Sequence, residues 1–110
     1  MYFVINGRKW DVKRVQRGNS YLRRKDGTYS LASTDNDTST VYVLESVQGR
    51  LRERVMLHEV SHCVCFSYGI KIPIEQEEFL ADWMSVHGQE VIRCVQEIWS
   101  DFDDVYFISN

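Results

Sequence analysis

No apolar run in the 110 residues approaches the roughly 18 that would span a bilayer. Met1 to Asn6 has no basic segment leading into an apolar stretch, so neither secretion nor membrane insertion is expected. A basic face is missing as well. The net charge is -3, and Arg50, Arg52, Glu53 and Arg54 mix both signs within five residues, which argues against nucleic acid as a partner. Cysteine is scarce and odd in number. Of the three, Cys63 and Cys65 fall on one helical segment where they cannot bridge, so reduced thiols in a cytoplasmic setting fit best. Internal repeats, low-complexity tracts and long linkers are absent, which leaves one domain over residues 1–110.

The chain is 44% hydrophobic and 26% charged, the balance of an ordinary globular protein, and three Trp, six Tyr and five Phe supply a core without disulfides. Its first half carries strand and turn signals. Tyr2 to Ile5 and Arg8 to Val12 flank Asn6-Gly7, the pair best suited to a two-residue hairpin turn. Asp26-Gly27 separates Tyr21-Leu22-Arg23 from Thr28 to Leu31, and the polar loop Asp35-Asn36-Asp37 precedes the apolar run Val41 to Leu44. A small antiparallel sheet is expected. The acidic loop lacks the spaced carboxylates of an EF-hand and reads as a solvated turn.

Beyond Gly49 the periodicity turns helical. Leu51 through Ser67 contains neither Pro nor Gly, and its apolar positions go most of the way round a helical wheel, predicting a largely buried helix. Gly69 is a stop signal and Pro73 suits the start of a second helix, Ile74 to His87, closed by Gly88. Val91, Val95, Ile98 and Trp99 predict a third helix over Gln89 to Ser100, leaving the tail from Asp101 to Asn110 ambiguous between strand and coil. The fold class is therefore α+β, a small N-terminal sheet packed on about three helices.

Chemistry concentrates at His58-Glu59-Val60-Ser61-His62. On a helix, residues i and i+4 share a face, so both imidazoles can address one metal ion, while Glu59 is offset and can reach a water beside it as general base. Two histidines and a glutamate in an apolar helix are costly to bury without partners, and a metal satisfies them. A hydrolytic zinc site needs a third protein ligand and an open fourth position. A third histidine ten residues after the first is excluded, because Tyr68 stands there. The remaining source is the next helix, with Glu75, Glu77, Glu78 and Asp82. His62 and Glu78 lie about equally far from the hinge between the helices, so an antiparallel pair brings them level, and Asp82 one turn on can hold a ligand histidine. Glu75 and Glu77 stay open as substitutes for Glu78.

The pair of segments His58 to His62 and Glu78-Phe79-Leu80-Ala81-Asp82 resembles the gluzincin pattern, HExxH followed by ExxxD. Residues 40–99, a little over half the chain, are similar to the small phage-associated and ImmA/IrrE-type metallopeptidases. The resemblance implies a zincin-like core, Zn2+ held by His58, His62 and Glu78, orientation of a ligand histidine by Asp82, and hydrolysis of a protein or peptide substrate. It also implies a bacterial or phage-infected cytoplasm. Thr40 to Glu45, just ahead of the motif helix, is expected to be the edge strand that pairs with an extended substrate. The rival expectation is a non-catalytic metal-binding module that docks a protein partner.

Other residues invite roles and receive plainer ones. His87 falls on the far side of its helix from Glu78 and suits a helix C-terminus. Tyr68 is expected to pack against the following turn. Cys63 and Cys65 read as small buried residues, and Phe79, Trp83 and Val86 as core.

Overall fold

A computed structural model describes the backbone of residues 1–109 and the side chains of residues 1–102. Two strands open the chain, β1 (Tyr2–Ile5) and β2 (Arg8–Val15), joined at Asn6 and Gly7 with φ of 50° and 75°. Both values are positive, as a type I′ turn demands, and the pair forms the expected antiparallel hairpin. A short 3₁₀ turn at Ser20–Leu22 follows, capped by the Asn19 side chain on the Tyr21 N–H. The second hairpin is barely made, since Arg23 and Tyr29 form only an isolated bridge around the Asp26-Gly27 turn.

The strands β3 (Ala32–Asp35) and β4 (Thr40–Leu44) form the next antiparallel pair. Asp35 folds the loop between them by accepting from the Asp37 N–H and the Thr38 hydroxyl, and the Arg8 guanidinium binds Asn36 and Ser39. Those contacts account for the acidic turn without a cation.

The sheet order is β1-β2-β4-β3, and β2 pairs with β4 in parallel. The sheet is thus mixed rather than wholly antiparallel, and β4 is an inner strand. Thr40 to Glu45 cannot be the free edge that receives a substrate. Its continuous apolar run, Val41-Tyr42-Val43, all buried, is the signature of a strand paired on both sides. The edge on that side is β3.

Helix α1 (Gly49–Ser67) lies against the sheet, with Trp10, Val41 and Cys63 fully buried at the centre and Phe3, Ile5, Met56 and Phe66 around them. The Trp10 indole N–H donates to the Ser67 hydroxyl at 2.8 Å, so even the core's largest side chain is satisfied. The helix ends in a Schellman motif. Gly69, with φ of 63°, gives its N–H to Phe66 O, and Ile70 gives its own to Cys65 O. Tyr68, at the C-cap, is exposed instead of packed on the next turn.

The last element is one helix, α2 (Ile74–Ser109), so the fold has two helices where the sequence suggested three. Gly88 is not a stop. It sits within α2 at the crossing with α1, where an added Cβ would lie 3.0 Å from Met84 Cε and 3.5 Å from Leu57 Cδ2. The Leu57 distance is ordinary contact, so only the flexible Met84 end would have to yield to a Cβ there. The tail through Ser109 is helical, and Asn110 lies outside the described residues. Phe79, Trp83 and Val86 are exposed, not core, because α2 turns only one side to α1. Among the described residues no helix is long and apolar enough to cross a membrane.

Candidate metal centre

The chain reversal at Gly69 and Pro73 sets the first turns of α2 beside the second half of α1. His58 and His62 stand one turn apart on α1, their Nε2 atoms 3.2 Å from one another. Glu78 of α2 faces both, with Oε1 3.2 Å from His62 Nε2 and Oε2 3.4 Å from His58 Nε2. One donor atom from each of the three residues lies within 4.8 Å of the others. Tetrahedral bonds of about 2.0–2.1 Å separate donors by about 3.3–3.4 Å; the two Nε2 atoms stand close to that spacing, and each meets a different oxygen of the Glu78 carboxylate at a similar distance.

The other ring nitrogens are also occupied. His62 Nδ1 is 2.7 Å from Glu77 Oε2, and His58 Nδ1 is 3.0 Å from Asp82 Oδ1. A carboxylate only accepts, so each Nδ1 supplies the proton, and in the neutral tautomer each Nε2 presents a lone pair. Two lone pairs and a carboxylate then converge, an arrangement that a metal cation would satisfy.

Glu59 is buried, and the Thr34 hydroxyl on β3 approaches its Oε1 at 3.4 Å. Burial pushes its carboxyl above the usual range, and the neighbouring imidazoles and Thr34 oppose that rise. His58, Glu59, His62 and Glu78 share the wall of a cavity of about 530 Å³ with Thr34, and Arg24 and Arg54 add positive charge around it. The side chains of His58, His62 and Glu78 are therefore reached from the cavity.

The sequence-predicted residues His58, Glu59, His62, Glu78 and Asp82 are all brought together. Glu75 is exposed and stands outside the cluster, which leaves Glu78 as the carboxylate facing both Nε2 atoms. Glu77 has a role the sequence reading missed. It is buried and grips His62 from behind the ligand position. A signal existed, because Glu77 starts the stripe Glu77, Ala81, Met84, Gly88 that α2 turns inward, and an acid in an inward stripe needs a partner. Thr34 gave no signal, since its place depends on the β3–β4 register. His87 lies against Trp83 at 5.2 Å between ring centroids, away from this cavity, and Cys63 and Cys65 are buried as expected.

No protein-family model, curated protein or solved structure matches the chain.

Proposed function

We propose that the chain is a zinc-dependent peptidase of the HExxH, gluzincin-like type, with His58, His62 and Glu78 as ligands and Glu59 as general base. The observation that carries the reading is the convergence of donor atoms of His58, His62 and Glu78 within 4.8 Å of one another on a cavity wall that also holds the buried Glu59 carboxylate. A structural zinc site closes its sphere with four protein ligands, whereas three donors beside a cavity suit a site that takes substrate.

Zinc bound there supplies a Lewis acid that polarises the scissile carbonyl and acidifies a water molecule. Glu59 receives the proton of that water and returns it to the leaving amine. Burial raises its basicity, which suits a base that must take a proton near neutral pH. Glu77 and Asp82 fix the tautomer and ring orientation of His62 and His58. The edge strand β3 passes Glu59 at Thr34 and offers its outer backbone groups to an extended peptide.

Elemental mass spectrometry on protein purified without chelators tests the metal, and peptide turnover tests the chemistry. About one zinc per chain is expected, lost in His58→Ala and His62→Ala and weakened in Glu78→Gln. Glu59→Gln should keep its zinc and lose turnover by about 10²-fold or more. Zinc retained with no turnover of any peptide by the wild type would favour a metal-binding module that docks a partner. Absence of zinc would sink both readings.

A further inference from the structure

The side of α2 that packs on α1 continues beyond it. Glu77, Ala81, Met84 and Gly88 alternate by four and three residues and are buried or half-buried. The same alternation runs on through Val91, Val95, Ile98 and Phe102, with Ile92 and Trp99 on one flank. These six side chains are 44% to 62% exposed, a continuous apolar strip about 17 Å long on one face of a helix. Isolated exposed apolar residues are ordinary, but six contiguous ones are not.

We infer that this strip is a self-association surface, on which the α2 helices of two copies of this chain pack antiparallel. The spacing by four and three that seats α2 on α1 is also the spacing by which two helices interlock, so a second α2 offers a matching surface about a two-fold axis. Covering two aromatic and four aliphatic side chains on each copy removes roughly 1,000 Å² in total, about the size at which a specific interface begins. The strip itself holds no charge; Gln89 and Gln96 border it on one side and Cys94 and Asp101 on the other.

Orientation follows from α1, whose Leu57 packs at Gly88 on this face of α2. Parallel α2 helices about 8–10 Å apart would bring the two α1 helices together there, whereas antiparallel α2 helices keep them at opposite ends and oppose the helix dipoles. A lipid surface fits less well. The far face carries Glu90 and Glu97 against Arg93 alone, whereas helices that lie on membranes are rich in Lys and Arg there.

Light scattering coupled to gel filtration on the full chain at 10–100 μM tests the proposal. The wild type should run at twice its 13.0 kDa mass, and Val95→Asp/Ile98→Asp should run at 13.0 kDa with its helical circular dichroism retained. Should that double variant lose helicity, Trp99→Gln and Ile92→Gln should each weaken the dimer about tenfold or more without that loss. A wild-type monomer at 100 μM overturns the proposal, and so does a dimer indifferent to all these substitutions. Flotation of the wild type with phosphatidylcholine or phosphatidylserine vesicles overturns it in favour of lipid.

Discussion

Glu77 and Asp82 make the same kind of contact, a carboxylate on the Nδ1 of a proposed ligand histidine, in opposite surroundings. The Glu77 and His62 side chains are each 9% exposed, whereas Asp82 is 70% exposed. Water can replace Asp82 at His58, but nothing replaces Glu77 without leaving a buried imidazole N–H unpaired. Glu77→Ala should therefore weaken zinc binding by 10- to 100-fold, and Asp82→Ala by clearly less, in a competitive titration against a chelating dye. Equal losses would mean that burial does not set the strength of these contacts. The Cys63 thiol carries a different consequence of burial, which raises it from an ordinary value near 9 to about 12. Between those values the unfolded chain releases a proton that the folded chain keeps, so stability falls as pH rises, by up to about 1.4 kcal/mol per pH unit. Below pH 9 this contribution is fully present. Urea unfolding at pH 8 and pH 10 should show a smaller alkaline loss for Cys63→Ala than for the wild type. Equal losses would place the titration elsewhere.

At the scale of elements, what could be read from the sequence was local. Asn6-Gly7 specifies its hairpin through two positive φ angles, and Gly69 specifies the end of α1 through a Schellman motif, so both were visible in a few residues. The parallel pairing of β2 with β4 was not, because it joins segments far apart in sequence around the β3 hairpin. Gly88 misled for a related reason. A glycine that ends a helix and one that lets another helix approach look alike until the neighbour is known. Gly88→Ala should be tolerated within about 1 kcal/mol, since the flexible Met84 end can yield and helix propensity improves. Gly88→Leu should cost about 1–3 kcal/mol in urea unfolding by forcing α1 from α2. Strand β3 allows a sharper test of the substrate edge. Leu44 N–H donates to Leu31 O, so by the alternation of an antiparallel ladder the Ala32 N–H points outward. Ala32→Pro spares the sheet and removes one outward donor. It should raise KM for peptides several-fold with kcat little changed, and an unaltered KM in a folded variant would remove β3 from substrate binding.

For the whole molecule, the metal centre and the fold are one problem, because the cluster joins the two helices that close the structure. Its plan was legible since His58 and His62, like Glu78 and Asp82, are each one helical turn apart, and a five-residue link from Gly69 to Pro73 leaves little choice but an antiparallel return. The buried grip of Glu77 and the approach of Thr34 were not, since they depend on how α2 is rotated and how β3 is registered. The proposed site would couple zinc to stability, because its three ligands come from both helices and a bound cation would tie the first turns of α2 to α1. A ligand that binds only the folded chain adds about 2.7 kcal/mol at a hundredfold excess over its Kd. For a domain of this size that corresponds to a rise in Tm on the order of 10 °C. Zinc should therefore raise Tm by that order, a chelator should reverse it, and His58→Ala should melt alike with and without zinc. Hydrogen exchange separates this coupling from nonspecific stabilisation: protection should rise over residues 74–82 and 55–66 and stay unchanged in β1. A Tm indifferent to zinc, or protection spread evenly over the sheet, would mean that the two helices are held by their apolar contacts alone and that the cluster contributes nothing to closing the fold.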